Sequence, residues 1–190
     1  MLLLVGLGNP GPKDLNNRHN IGFRIIDAVN SHFKLSKQKP KFKGLLTTGN
    51  IETKKVYAVK PLTFMNNSGT AIKELMDYFK IDAKDVIVFH DDLDIDFGKI
   101  KTKFGGSSAG HNGIESIDKF IGKEYSRVRI GIGHPKEKKK VNNHVLEDFK
   151  DDEEEKIKEI TDNIIKSIPE LIEKKIDLFS SKVNQNLNGI

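Results

Sequence analysis

The chain has 190 residues, of which 36% are hydrophobic and 31% are charged, and this composition suits one compact domain with a full core. It contains no cysteine, which excludes disulfides, thiolate nucleophiles and cysteine-ligated zinc. Residues 150–190 hold seven lysines and ten acidic residues, which leaves 25 basic and 17 acidic residues in 1–149. The net charge is therefore +8 for residues 1–149, compared with +5 for the whole chain.

The predicted elements alternate between strands and helices along the chain. Apolar runs and alternation predict strands at 2–5, twice within 44–60, and at 86–89, 99–104 and 127–132. Apolar residues at helical spacing predict helices from about 20 to 33, around 72–79 and at 112–121. Residues 34–43 are the one long linker candidate.

The last predicted helix begins at the acidic run 151–155, because acidic side chains suit the positive N-terminus of a helix, and Pro169 should break or kink it. This order of elements predicts an α/β fold: a single domain over 1–190 with a mixed, mostly parallel central sheet covered by helices on both faces, and with 150–190 as a C-terminal helical segment. No apolar run reaches the roughly 20 residues of a membrane span, and Met1–Val5 is too short for a signal peptide. We therefore expect a cytoplasmic protein with no membrane partner.

Two short motifs match known patterns. Gly6–Gly11 fits the dinucleotide fingerprint G-x-G-x-x-G, but the turn residues Pro10 and Pro12 speak against it. The acidic residue expected at the end of a second strand, about 20 positions later, is also missing, because that stretch is predicted helix followed by lysines. Gly106–Gly110 fits G-x-S-x-G between a predicted strand and a predicted helix, so Ser108 is a candidate nucleophile. The alternative is a loop of small residues that lets a bulky group approach the backbone.

Polar residues cluster where the predicted strands end. They are Asn9, Asn66, His90–Asp92 and His111–Asn112, with His19 just before the first helix. Such loops converge at the carboxyl edge of an open α/β sheet. A histidine with a carboxylate on one nitrogen can activate water, and amide N–H groups can stabilise an oxyanion.

Each of these residues has a structural alternative. His19 could cap or pack against the helix start, and Asn66 could cap the next helix, with Ser68 as a competing cap. The acidic residues at 91, 92, 94 and 96 could form a solvated loop or bind a hard cation.

The chain strongly resembles the bacterial-type peptidyl-tRNA hydrolase family over residues 2 to about 149. The matching segments, in the family's order and spacing, are 6–11, 18–22, 60–66 with Ser68–Gly69, 90–94, Gly105–Gly106 with 110–113, and 129–135. The resemblance implies a metal-independent, cofactor-free enzyme, usually a monomer with no obligate protein partner, that hydrolyses the ester between a peptide and the 3′ ribose of tRNA.

The resemblance also implies a role for each matching residue. His19 is the general base and Asp91 the carboxylate that stabilises its protonated form. Asn9 distinguishes blocked, peptide-like substrates from free aminoacyl-tRNA. Phe64, Asn66 and Asn112 contact the tRNA or the peptide end of the substrate. The amide of Asn66 or of Asn112 could also polarise the ester carbonyl. His111 and Arg129 match the rim of the site.

The chain departs from the family in its first loop. Asp14 occupies the usual tyrosine position and Asn17 the usual threonine position, and the glycine-rich loop contains Ser108 and Ala109. We therefore expect Asp14 either to lie near the tRNA or peptide end or to serve as a turn or capping residue. The hydrolytic residues themselves are unchanged.

Charge indicates a nucleic-acid substrate independently. Lys99, Lys101 and Lys103 alternate on a predicted strand that leads into Gly105–Gly106, so they share one face, and we expect Lys101 and Lys103 to contact tRNA phosphates. The lysines of 34–43 form a second basic stretch, whereas the run 136–140 fits an ordinary solvated surface. Three classes stay open on these residues: tRNA-ester hydrolysis, a Ser108 esterase, and a basic RNA-binding module without catalysis.

Overall fold

The computed structural model of the protein describes residues 1–135 and 140–187. The strands of its single sheet are β1 Leu2–Gly6, β2 Lys39–Lys41, β3 Gly44–Ile51, β4 Lys54–Pro61, β5 Val86–Asp92, β6 Ile100–Phe104 and β7 Ser126–Gly131. The α-helices are α1 Ile21–His32, α2 Ser68–Phe79, α3 Asn112–Ile121, α4 Val141–Leu146, α5 Asp151–Ile172 and α6 Ile176–Leu187.

The strands form one sheet in the order β2-β3-β4-β1-β5-β7-β6. The four central strands are parallel, whereas β2, β3 and β6 each pair antiparallel with their neighbours. The predicted α/β fold with a mixed sheet, parallel in its interior, is confirmed.

The core has one layer on each face of the sheet. Because alternate residues of a strand point to opposite faces, Leu2 and Leu4 of β1 pack in the layer under α1, α5 and α6, and Leu3 and Val5 pack in the layer under α2 and α3. All four side chains are buried. A strand buried on both faces is typical of a parallel sheet, and all five residues of β1 are buried.

Two expectations from the sequence are wrong. The linker candidate 34–43 contains β2, a three-residue edge strand that pairs only with β3. Helix α5 is not broken at Pro169 and continues to Ile172, because a proline in the last turn costs only one backbone hydrogen bond near an end that frays anyway. Most of the lysine-rich run at 136–140 lies outside the described residues.

The C-terminal helices α5 and α6 belong to the same core as the strands. Ile160 and Ile164 of α5 and Phe179 of α6 are fully buried against the sheet. In the described ranges, no helix is both long enough and apolar enough to cross a membrane.

Candidate active site

A cleft lies at the carboxyl edge of the parallel strands, and His19 lines both of its halves. The first half is lined mainly by Asp91, Asp92, Asp94, Ser108, His111, Asn112 and His134. The second half is lined mainly by Asn9, Phe64, Met65, Asn66, Asn112 and Leu146. The polar residues at the predicted strand ends therefore converge on one crevice, as open α/β sheets require.

His19 is held by a short 3-10 turn, Arg18–Asn20, that leads directly into α1. The ring is 9% exposed, and its Nδ1 lies 2.9 Å from each carboxylate oxygen of Asp91. An ionised carboxylate only accepts, so Nδ1 carries the proton and Nε2 has a free lone pair. Nε2 makes no hydrogen bond to the described parts of the protein and is the atom left for the cleft.

His111 binds the other side of the same carboxylate. Its Nδ1 accepts the backbone N–H groups of Gly113 and Ile114, at 3.1 and 3.3 Å, and thereby caps α3. Because Nδ1 accepts, the proton of a neutral ring must be on Nε2, which lies 3.0 Å from Oδ1 of Asp91. His111 was placed at the rim from the sequence, and the structure turns it inward as a second donor to Asp91.

These contacts set the charge states of the buried pair. Burial alone would raise the pKa of Asp91, but the neighbouring His19 and His111 hold it well below its ordinary value. Burial lowers the pKa of His19, and the Asp91 carboxylate overcomes that effect, so the pKa is raised from the ordinary 6.5. Asp91 is therefore an anion at neutral pH, and His19 is a stronger base than a free imidazole.

His90 was recognised in the sequence only as the end of a strand. Its ring is fully buried and packs edge-on against His111, with 4.9 Å between ring centroids. Nδ1 donates to the backbone carbonyl of Asp91 at 2.7 Å, while Nε2 has no hydrogen-bond partner. Burial, together with the nearby His111, lowers its pKa well below 6.5, so His90 is a neutral support for the other two residues.

Arg18 ties the turn that carries His19 to the C-terminal part of the chain. Its buried guanidinium donates to the backbone carbonyls of His144 and Glu147, at 3.2 and 3.3 Å, and pairs with Glu153 at 2.8 Å. Sequence reasoning missed this role, because no spacing relates position 18 to position 153. The position of His19 therefore depends on residues at both ends of the chain.

The backbone of Asn9 is fixed by one neighbour and its side chain by another. The amide of Asn20 accepts from Asn9 N at 2.8 Å and donates to Asn9 O at 2.9 Å. Oδ1 of Asn9 accepts from the backbone N–H of Met65 at 2.8 Å. Since Oδ1 is occupied, the NH₂ group of Asn9 is the part left to contact a ligand.

The remaining predicted contacts lie on the open side of the second half of the cleft. Phe64 is 68% exposed, and Asn66 and Asn112 are also exposed. The capping alternative for Asn66 is wrong, because the residue that precedes α2 is Asn67 and the hydroxyl of Ser68 binds the carbonyl of Met65. Within the described residues neither the Asn66 nor the Asn112 amide has a hydrogen-bond partner, so both can bind a substrate.

The acidic residues that follow β5 do not converge on one point. Asp92 pairs with Arg129 Nε at 2.8 Å, and Asp94 pairs with His134 at 2.8 Å. Among the described residues, one group has ligand atoms close enough for a metal ion, namely His19, Asp91 and His111. Those atoms are already joined by hydrogen bonds with both N–H groups aimed at the carboxylate, so an ion there would have to displace both bonds.

The two short motifs do not have the local structure that their patterns require. Ser108 Oγ lies 3.3 Å from a carboxylate oxygen of Glu115, and no described imidazole bonds to it, so it lacks the base that a nucleophile elbow needs. After Gly11 the chain forms two 3-10 turns, and α1 begins only at Ile21. A dinucleotide fingerprint runs directly into its helix, and this loop does not.

A basic surface lies on one side of the cleft. In the pairing of β6 with β7, Lys101 is opposite Arg129 and Lys103 is opposite Arg127, so the four side chains share one face. Arg127 binds the carbonyl of Gly105 at 2.6 Å, and the ammonium of Lys103 lies against Gly106. Lys101 and Lys103 are exposed and pair with no acid in the described chain.

Asp14 lies apart from both halves of the cleft. It ends a short 3-10 turn, Pro12–Asp14, and its Oδ1 accepts from Nδ2 of Asn17 at 3.0 Å. The structure thus gives it the geometry of a turn residue.

Comparisons with known proteins agree with this geometry. A family model described as peptidyl-tRNA hydrolase matches residues 3–189. The peptidyl-tRNA hydrolase of Pelagibacter ubique is 73% identical over 184 residues, which cover 97% of this chain and 99% of the relative. The peptidyl-tRNA hydrolase of Bartonella quintana is 45% identical, and the match covers 97% of this chain and 96% of that relative. The crystal structure of peptidyl-tRNA hydrolase from Acinetobacter baumannii superposes with a TM-score of 0.91 at 34% identity, covering 97% of this chain and 94% of that one. The match therefore extends past residue 149, where the resemblance read from the sequence stops.

Proposed function

The chain belongs to the peptidyl-tRNA hydrolase family, and we propose that it releases peptide and free tRNA from peptidyl-tRNA through a water molecule that His19 activates. One observation carries the mechanism: Nδ1 of His19 is bound to the buried Asp91, which leaves a basic Nε2 at the junction of the two halves of the cleft. A base fixed by a carboxylate on its other nitrogen is the arrangement that general-base hydrolysis needs.

The reaction follows from the protonation states of His19 and Asp91. Nε2 of His19 takes a proton from water as the water oxygen attacks the ester carbonyl. The resulting imidazolium is stabilised by Asp91, and the negative charge on the carbonyl oxygen is met by the NH₂ group of Asn66 or Asn112. When the tetrahedral intermediate collapses, the C–O bond to the ribose breaks, and the imidazolium returns its proton to the leaving 3′ oxygen. The base is thereby restored.

Asn9 supplies the discrimination between blocked and free aminoacyl-tRNA. Its fixed NH₂ group can donate to the carbonyl of a first peptide group. A free α-ammonium has no acceptor to offer, and it would have to shed its water beside another donor.

The tRNA approaches across the basic surface of Lys101, Lys103 and Arg129, where ammonium groups meet phosphates. The exposed ring of Phe64 offers a stacking surface at the other side of His19. We propose that the enzyme works as a monomer, as the family resemblance implies.

The experiment is hydrolysis of an N-acetylated aminoacyl-tRNA by wild type, His19→Ala and a control, His32→Ala, which removes an exposed histidine at the end of α1. We expect kcat to fall about 100-fold or more in His19→Ala, the scale of a lost general base, with little change in tRNA binding. Retained turnover would point to another base. Wild type without turnover would favour a tRNA-binding module, and loss of activity in Ser108→Ala would restore the serine hypothesis.

A further inference from the structure

A chain of side-chain hydrogen bonds runs through the loop between β1 and α1. Oδ1 of Asp14 accepts from Nδ2 of Asn17 at 3.0 Å, and Oδ1 of Asn17 accepts from the backbone N–H of Asn20 at 3.1 Å. The side chain of Asn20 in turn binds both backbone groups of Asn9. This series of hydrogen bonds spans the turn that carries His19 and ends at Asn9, which lines the second half of the cleft together with His19.

Burial makes Asp14 important to this chain. Asn17 and Asn20 are 0% and 1% exposed, and a buried amide without a partner is costly. The Nδ2 group of Asn17 has Asp14 as its hydrogen-bond acceptor, whereas its Oδ1 is used by Asn20. Without the carboxylate, the Asn17 side chain has reason to turn toward another acceptor, which would leave the N–H of Asn20 with only the backbone carbonyl of Asn17 at 3.1 Å.

We propose that Asp14 is a positioning residue for the hydrolysis, which acts through Asn17 and Asn20 to fix the turn of His19 and the backbone of Asn9. The inference rests on the proposed role of His19 as the base. Asp14 lines neither half of the cleft, so its effect on the substrate is indirect.

Asp14 also acts on His19 through its charge. Asp91 of β5 binds His19 and His111 at the start of α3 packs against its ring, while the charge of Asp14 in the first turn acts on His19 without contact. Burial lowers the pKa of His19, Asp91 raises it, and Asp14 raises it further by a smaller amount. The hydrogen bond and the charge can therefore be separated by substitution.

The experiment compares Asp14→Ala with Asp14→Asn, in kcat and KM for N-acetylated aminoacyl-tRNA between pH 5 and 9. The Asn side chain keeps an oxygen for Asn17 and loses the charge. We expect Asp14→Ala to lower kcat about tenfold with little change in KM, the scale of a small misplacement of a catalytic group. Asp14→Asn should keep the plateau kcat within about twofold and shift the rising limb of the pH profile to lower pH, because a charge that raises the pKa of His19 is lost.

Three further measurements decide the outcome. Asp77→Asn, an exposed acid on α2, should change neither kcat nor the profile. Asn17→Ala should match Asp14→Ala, and the double variant should be no worse than either; additive losses would overturn the proposal, as would a change confined to KM. If Asp14→Ala keeps the wild-type kcat while His19→Ala is inactive, the positioning role of Asp14 is refuted and the proposed function stands. Full activity in His19→Ala refutes the proposed function itself.

Discussion

Replacing Asp91 by Asn changes the charge at the centre of the site while keeping its shape. In the native site Oδ1 of Asp91 accepts from both His19 and His111, and Oδ2 lies 2.9 Å from Nδ1 of His19. If the amide oxygen keeps the place of Oδ1, the NH₂ group faces Nδ1 of His19. The NH₂ group there competes with the proton on Nδ1 and favours the tautomer in which Nδ1 accepts and Nε2 carries the proton, which removes the basic lone pair from the cleft.

The size of the effect follows from the two hydrogen bonds. A bond to a charged group contributes about 1.5–3 kcal/mol and a neutral one about 1. Losing the charge on both bonds therefore removes about 1–4 kcal/mol of transition-state stabilisation. At about 1.36 kcal/mol per tenfold change, kcat should fall roughly 5- to 900-fold, and the wrong tautomer of His19 places the expected loss toward the upper end of that range.

The assay is single-turnover release of an N-acetylated amino acid from tRNA at saturating enzyme, across a pH series. The pKa of His19 is raised by Asp91, so the wild-type rate should rise with pH through a midpoint above 6.5, and the remaining rate of the variant should have a lower midpoint. Asp96→Asn is the control, because this exposed acid follows the same strand and contacts no imidazole. A kcat for Asp91→Asn within threefold of wild type would refute the reasoning.

Replacing Lys101 and Lys103 together by Gln should weaken tRNA binding and make the plot of log Kd against log salt shallower by about two units, one for each lost phosphate contact; an unchanged slope would place the phosphates elsewhere. Asn9→Ala should reduce the ratio of kcat/KM for blocked over free aminoacyl-tRNA about tenfold, and an unchanged ratio would assign discrimination to other residues. Folding lowers the pKa of His90, so below pH 6.5 the unfolded chain binds a proton that the folded chain does not. The free energy of unfolding should therefore fall as the pH drops below 6.5, by up to about 1.4 kcal/mol per pH unit. Urea unfolding at pH 7.5 and 5.5 should therefore show a weaker acid sensitivity in His90→Gln, and equal sensitivity would contradict the burial argument.

The elements that the sequence predicted best are those with strong apolar patterns. Helix α3 was predicted at its observed bounds, and β5 was recognised from four consecutive apolar residues before His90. Strand β2 was missed because it is two lysines and a proline on an exposed edge, where only pairing with β3 makes it a strand. Pairing of that kind leaves no periodic signal in one sequence.

The sequence predicted that His19 and Asp91 lie in one crevice, but it did not predict how the residues of the crevice are connected. Strand-end reasoning brought His19 and Asp91, 72 positions apart, to one crevice. The orientation of His111 depends on two backbone N–H groups at the start of α3, and no residue type encodes that. The contacts of Arg18 with the segment near Glu153 likewise depend on how α5 packs, which a local pattern does not describe.

The contacts of Arg18 also decide when during synthesis the site can become complete. His19 is made early, but its turn is held by carbonyls of His144 and Glu147 and by the carboxylate of Glu153. A growing copy of this chain is itself a peptide esterified to tRNA, and until residue 153 has left the ribosome it lacks the groups that hold its own base. A fragment that ends at residue 140 should accordingly give no turnover of N-acetylated aminoacyl-tRNA. The long sequence separation thus links completion of the turn that holds His19 to synthesis of the segment that contains His144, Glu147 and Glu153.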